Sequence, residues 1–207
     1  MWLPIVIGVV AGYLLGNVNG AVIVSKMMQD DVRNHGSGNA GLTNFIRNYG
    51  SGKALFVIAA DALKAVISCL LTGFLLSPYG MYREGTAIGG AAVMFGHVFP
   101  AFLKFKGGKG ILSGLFIAAV VDWRIAVLSL AIFAILYFST RYVSLSSLLG
   151  ATGFGAGFCI WQHDNLTIML LGVFMAALTI FMHRSNVKRL LAGQEVKTDL
   201  FKKEKSV

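Results

Sequence analysis

Charged residues are scarce in this chain: 13% of its 207 positions are Asp, Glu, Lys or Arg, about half the share of an ordinary soluble domain. Acidic residues are the scarcest, nine against eighteen basic, beside four histidines and two cysteines. No acidic pair, Cys/His cluster or H-x-x-x-H spacing supplies a metal site. Cys69 and Cys159 both fall in apolar stretches and read as packing residues, with no disulfide framework. Met1–Val24 lacks a basic start, so it reads as a first helix and not as a cleavable signal peptide. G-x-x-x-x-G-K-[ST] is absent too, which disfavours nucleotide hydrolysis.

What fills the chain is apolar: 56% of residues are hydrophobic and the mean hydropathy is +0.72. The sequence predicts an all-α integral membrane protein with one transmembrane domain over residues 1–195 and a basic tail over 196–207. Apolar runs lie at Trp2–Val24, Ala54–Leu76, Thr86–Leu103, Gly110–Val121, Ile125–Phe138, Val143–Trp161 and Leu166–Met182. These are seven candidate transmembrane helices. A full span needs roughly 20 apolar residues, so the fourth and fifth are short, and one of them is tilted, protein-covered or flanked by a loop that dips into the membrane. With the N-terminus outside, fifteen of the eighteen basic residues fall on the inner side, from Lys26, Arg33, Arg47 and Lys53 through Lys104, Lys106, Lys109 and Arg141 to the tail. Only Arg83 and Arg124 lie outside, with Lys64 inside a span. By the positive-inside rule the C-terminus is cytoplasmic. The net charge of +9 then sets topology and faces anionic lipid; no nucleic acid is needed.

The polar residues are gathered in few places. Asn34–Gly50, NHGSGNAGLTNFIRNYG, concentrates Gly36, Ser37, Gly38, Asn39, Gly41, Thr43, Asn44 and Arg47. Two readings stand: a backbone N–H nest that grips an anion, or a solvated loop of turn formers. A second island follows Gly96-His97, reading Lys104-Phe105-Lys106-Gly107-Gly108-Lys109-Gly110 just before a helix start, where backbone N–H groups bind phosphate. Its irregular backbone, near a run too short to span, favours a re-entrant ligand loop over a plain connector. A third, His183 to Glu195, places His183 and Asn186 on one helical face. In the first run Gly12, Gly16 and Gly20 share a face, as in close small-residue packing, while Asn17 and Asn19 face the bundle and support the loop that follows. Asp61 and Lys64 share a face within a span, and read either as a self-neutralising salt bridge or as a cation aimed at an anionic ligand. Arg141 reads as an interfacial anchor, and Ser144, Ser146 and Ser147 could bond along their own helix. The three islands lie on one side of the membrane, and the outer halves of the helices are almost uniformly apolar. That pattern suits a one-sided enzyme better than a carrier for small organic phosphates, or a non-catalytic subunit that docks a soluble partner.

GSGNAGLTNFIRNYG, GHVFPAFLKFKGGKG and HRSNVKRLLAGQE, in that order, resemble the bacterial acyl-phosphate:glycerol-3-phosphate acyltransferase family (PlsY), from about Gly12 to Lys197. The chain departs from the family where Gly16-Asn17-Val18-Asn19-Gly20 replaces a Ser-Ile-Pro-like element, and where DALKA (Asp61–Ala65) replaces D-x-x-K-G. The resemblance implies transfer of a fatty acyl group from acyl phosphate to the 1-hydroxyl of sn-glycerol 3-phosphate, the first step of phospholipid synthesis. It also implies no metal or other cofactor, a multi-pass protein of the bacterial inner membrane with a cytoplasmic active site, and a soluble or peripheral enzyme that forms the acyl phosphate. Carried over by motif, Ser37, Gly38 and Asn39 would cradle acyl phosphate, with Gly36, Thr43 and Asn44 beside them. Arg47, Lys106, Gly107, Gly108, Lys109 and Ser144 would hold glycerol 3-phosphate, with Lys64 and His97 also expected at the substrates. His183 and Asn186 would orient the hydroxyl or polarise the carbonyl. His183 and a substrate phosphate oxygen are the two candidate bases, and direct transfer is favoured over an acyl-enzyme on Ser37, since no base stands beside that serine in sequence.

Overall fold

In a computed structural model of the chain, residues 2–200 are described, and every regular element among them is helical. Met1 and residues 201–207 lie outside the described residues, and with them Lys202, Lys203 and Lys205 of the expected tail. All seven apolar runs are helical. The first is divided between α1 (Trp2–Asn17) and α2 (Gly20–Met27). The others form α4 (Ala54–Leu76), α5 (Tyr82–Val98), α6 (Ile111–Val121), α7 (Trp123–Thr140), α8 (Val143–Trp161) and α9 (Leu166–Met182). Two short polar helices, α3 (Leu42–Tyr49) and α10 (Arg184–Leu191), lie outside the runs.

Five stretches are long and apolar enough to cross a membrane, and α9 with α10, bent by 52°, makes a sixth. α6 is the exception. Its 11 residues rise about 16 Å, half of a ~30 Å hydrocarbon core. The fifth run is longer than its hydropathy suggests, because Trp123, Arg124, Ser139 and Thr140 extend it to 18 residues. Ser139 and Thr140 donate to their own helix at Ile135 O and Leu136 O, 2.8 and 2.6 Å away. Those hydroxyls dilute the apolar signal without interrupting the helix.

The first run is not one helix. Asn19 accepts the Val22 amide at 3.0 Å and so caps α2, which ends α1 at Asn17 and leaves the Val18 carbonyl out of the helical ladder. Asn17 Oδ1 accepts from the Phe102 amide at 3.0 Å, and Asn19 Nδ2 donates to Ala40 O at 2.9 Å. The two asparagines thus tie the break to both glycine islands.

α1, α4 and α5 pack as one group and α7, α8 and α9 as another, with α6 between them and α5 touching α9. Small residues set the closest approach. A Cβ on Gly16 would lie 2.7 Å from both Gly96 Cα and the His97 amide nitrogen. Gly12 and Gly20 are buried in the same way, against Ser68 and the Val57 carbonyl. Around this core the outward side chains are apolar and exposed, as a lipid-facing surface requires; Leu63 is 60% exposed and Ile135 69%. Cys69 is buried in the packing, but Cys159 faces outward, which corrects its reading as a packing residue. At the end opposite the glycine islands, Arg83 donates to Gln162 at 2.8 Å and Gln162 to Asp122 at 2.8 Å, knitting α5, α7 and α8 together.

Gly16→Val and Gly96→Val each force a side chain against backbone, and each is expected to cost about 1–3 kcal/mol and to lower the thermal unfolding midpoint in detergent. Leu63→Ala, on the lipid face, should stay within about 0.5 kcal/mol of the parent. Equal midpoints for all three would show that the α1–α5 contact is not close packed.

Candidate active site

The first island is built around one amide. Asn44, buried at the start of α3, donates through Nδ2 to Val32 O, His35 O and Asn39 O at 2.9–3.0 Å. Its Oδ1 accepts from the Ser37 amide at 3.0 Å. Gly36 and Gly38 take φ of +56° and +69°, the left-handed region that lets the chain fold back around this centre. Asn44 is therefore the organiser of the loop. His35 turns away to Asp30, 2.9 Å from its Nε2. α3 has no side-chain cap, and its opening residues Leu42, Thr43 and Asn44 line a cavity together with Ser37 and Asn39.

The second island enters the same cavity from the other side. Gly110, at φ +83°, precedes α6, which also lacks a side-chain cap; Lys109, Ile111 and Leu112 line the cavity there. Lys109 Nζ donates to Asn186 Oδ1. Burial, reinforced by Arg189, pushes the Lys109 ammonium down to about 8 against the opposing pull of Glu195. Lys106 is fully outside this arrangement: it is exposed and does not reach the cavity. Lys64 is not at the cavity wall either. Its ammonium is 3% exposed and surrounded by Asp61, Val18 O and His97. The salt-bridge reading of Asp61 and Lys64 holds, at 2.6 Å, and His97 takes the wall position instead.

The third island closes the cavity. His183, at the bend between α9 and α10, directs Nδ1 to Thr179 O at 2.8 Å. A carbonyl can only accept, so Nδ1 carries the proton and Nε2 keeps its lone pair. Asn186 is buried and donates to Glu195 Oε1 at 3.0 Å, while Arg189 Nε donates to Glu195 Oε2 at 2.7 Å. Burial alone would raise the Glu195 pKa, but these hydrogen bonds hold its carboxyl below the usual range. The chain then runs back over the site. Arg47 Nε donates to Thr198 Oγ1 at 2.7 Å and its NH2 to Val196 O at 3.2 Å. The Thr198 amide donates to Arg141 O at 3.1 Å.

The cavity these parts enclose has a volume of about 300 Å³. Its polar end carries Arg47, Lys109, His183, Asn186 and Arg189, and its other end runs between α6, α7 and α8 along Leu115, Leu130, Phe133 and Phe154. Ser144 lies on its wall. Of the expected residues, Gly36, Gly38, Gly107 and Gly108 shape the two loops without lining the cavity, and Lys106 and Lys64 are not brought to it. Glu195, Arg189, Thr198 and Thr179 were not singled out by the sequence. The one signal was an acidic residue closing a basic stretch, Glu195 after Lys188 and Arg189. Among the described residues no group of three or more metal-ligating side chains occurs.

A family profile described as glycerol-3-phosphate acyltransferase matches residues 6–193. A relative of that name from a Thermoanaerobacter species is 40% identical over 193 residues, 93% of this chain and 94% of its own length. Another from Paraburkholderia phymatum is 37% identical, covering 92% of this chain and 90% of its own. Two solved structures are similar throughout. The crystal structure of PlsY, an integral membrane glycerol 3-phosphate acyltransferase, in its glycerol 3-phosphate form superposes with a TM-score of 0.84 at 30% identity, covering 94% of this chain and 96% of that one. Its lysophosphatidic acid form gives 0.81 at 28% identity, covering 95% and 96%.

The depressed Lys109 sets a pH dependence for anion binding. Free Lys109 is half charged near pH 8, and a bound phosphate needs it charged. Above pH 8 affinity for inorganic phosphate should therefore fall, by up to tenfold per pH unit. Lys109→Gln should lose that limb and Lys106→Gln keep it, as read by isothermal titration. A Lys106→Gln profile that flattens while Lys109→Gln does not would reverse the assignment.

Proposed function

This chain belongs to the glycerol-3-phosphate acyltransferase family, and we propose on that premise that it transfers an acyl group to glycerol 3-phosphate from an acyl phosphate donor. The observation that carries the donor assignment is the cavity itself. Two helix N-termini without side-chain caps, those of α3 and α6, face one space together with Arg47, Lys109 and Arg189. One phosphate needs one such end. Two ends and several cations suit two phosphates held close against their mutual repulsion, and the apolar arm between α6, α7 and α8 suits a fatty chain.

Acyl phosphate is a mixed anhydride and already activated. The work left to the protein is to place the 1-hydroxyl of glycerol 3-phosphate against the carbonyl carbon and to stabilise charge on the oxygens. The Ser37–Asn39 loop and the α3 N-terminus hold the acyl-phosphate group; Lys109 and Arg47, with the α6 N-terminus, hold glycerol 3-phosphate. His183 Nε2, left unprotonated by the Thr179 contact, takes the hydroxyl proton as the new C–O bond forms. The anhydride C–O bond breaks, phosphate leaves, and the proton passes to it from His183. The products are 1-acylglycerol 3-phosphate and inorganic phosphate. Transfer is direct, because the imidazole nearest Ser37 in sequence, His35, is engaged with Asp30. On the same reading the chain has seven membrane segments, α6 the short one, and works on the cytoplasmic side of the inner membrane; the basic residues gathered at the site's end of the bundle support this. Acyl phosphate then comes from a soluble or peripheral enzyme that makes it.

In lipid, purified protein should release phosphate only when a long-chain acyl phosphate and glycerol 3-phosphate are both present. Lys109→Gln should raise KM for glycerol 3-phosphate roughly 10- to 150-fold, and His183→Gln should lower kcat by about 10²–10⁴. Intact-protein mass spectrometry with acyl phosphate alone should show no adduct. A stoichiometric acyl group on Ser37, discharged by glycerol 3-phosphate, would establish the covalent route instead.

A tag fused after Val207 should be reached only from the cytoplasmic side of intact cells, since basic residues cluster at the end of the molecule that holds the site. Access from outside would invert the topology and move the site to the other face.

A further inference from the structure

Three nitrogen and oxygen atoms surround Lys64 Nζ in the middle of the α1–α4–α5 packing: Asp61 Oδ1 at 2.6 Å, Val18 O at 2.7 Å and His97 Nδ1 at 2.7 Å. Asp61 Oδ1 also accepts from the Gly20 amide at 3.2 Å, so it behaves as an ionised carboxylate. A carboxylate 2% exposed among apolar helices needs a matching charge, and Lys64 supplies it. An ammonium has three hydrogens and no lone pair. Two go to the oxygens, and the third can only be donated to His97 Nδ1. That nitrogen must therefore be unprotonated, which leaves the proton of the neutral ring on Nε2.

Nε2 lies at the seam between the glycine islands. A Cβ on Gly108 would collide with it and come within 2.9 Å of Ala40 O, and the Gly108 amide donates to His97 O at 3.1 Å. His97 lines the cavity at this point. We propose that Lys64, braced by Asp61, is a positioning residue that locks His97 in its Nε2–H tautomer, so that the ring presents a fixed hydrogen-bond donor to a substrate phosphate oxygen between the two loops. Removing Lys64 alone reverses the preference, because Asp61 Oδ1, 3.8 Å from Nδ1, then draws a proton onto that nitrogen. The lock runs opposite to that of His183, whose Nδ1 carries the proton; one ring donates to the ligand and the other accepts from it.

The tautomer itself is independent of the substrate, whereas its use by glycerol 3-phosphate rests on the function proposed above. Two measurements separate them. In protein with ¹⁵N-labelled histidine, reconstituted in lipid, the His97 ring, identified by its loss in H97Q, should show a protonated Nε2 and a bare Nδ1. In K64M a proton should appear on Nδ1. Kinetically, K64M should raise KM for glycerol 3-phosphate by roughly tenfold. H97Q, which removes the ring that Lys64 holds, should raise KM by a similar factor. Adding K64M to H97Q should then raise KM no further, though both Lys64 variants melt earlier. An equal KM penalty in the two backgrounds would make Lys64 a packing residue only. A wild-type ring with its proton on Nδ1 would overturn the proposal even if K64M does not fold.

Discussion

A lysine charge inside an apolar helix bundle must be matched on every hydrogen, and Lys64 is matched by groups from two helices and from the break between α1 and α2. Asp61 comes from its own helix, three residues back; His97 comes from the end of α5; the Val18 carbonyl is free only because the first membrane segment breaks there. Each partner leads to a part of the site. The break places Asn19, which holds Ala40 in the first loop, and Asn17, which holds Phe102 before the second. His97 holds Gly108. Removing one partner of such a buried pair leaves an uncompensated charge, at a cost of about 3–5 kcal/mol. The loops are therefore fixed by an interaction too expensive to rearrange during turnover.

What the loops then offer is a field and not a reactive side chain. α3 and α6 direct uncapped N-termini at one cavity, and the cations around them differ in how firmly they are held. Arg47 is tied to Thr198 and Val196 O; Lys109 is buried far enough to lie near 8. A partly discharged lysine costs less to hold beside Arg189 while the site is empty, and it regains its charge when a dianion enters. Glu195 meanwhile occupies Arg189 and Asn186, so the free site is not left with bare cations crowding one another.

Much of this was legible in the chain. All seven hydrophobic runs are helical, the first as two helices, and three polar islands far apart in sequence meet at one end of the bundle. The misses have physical causes. Trp2–Val24 is continuously apolar, so its break was marked only by Asn17 and Asn19, whose capping geometry composition does not carry. Lys106 and Lys109 sit three residues apart in one glycine-rich loop, and only the left-handed turns at Lys104, Phe105 and Gly110 decide which of them points inward. Asn44 reads as a ligand contact because it lies among ligand-loop residues; it does line the cavity, and what the sequence does not carry is that its amide also ties the loop together. Thr198 falls in what reads as a basic tail, since its partner Arg47 lies 151 residues earlier.

On the function proposed above, the short helix would let the site serve a lipid and a water-soluble substrate together. α6 ends at Asp122, which Gln162 and Arg124 hold at the far end of the bundle. With about 16 Å of rise in a ~30 Å core, its N-terminus stops well below the opposite surface. Were α6 seated in such a core with Asp122 at one surface, the Gly107–Gly110 backbone would lie at hydrocarbon depth, where unpaired N–H groups are tolerated only inside protein or against a polar cavity. Gly108 and Gly110 are buried accordingly. On the function proposed above, that end of α6 would then meet the carbonyl of a fatty chain lying between α7 and α8. A full-length helix would have lifted that end to the headgroups, out of reach of an acyl chain still in the membrane.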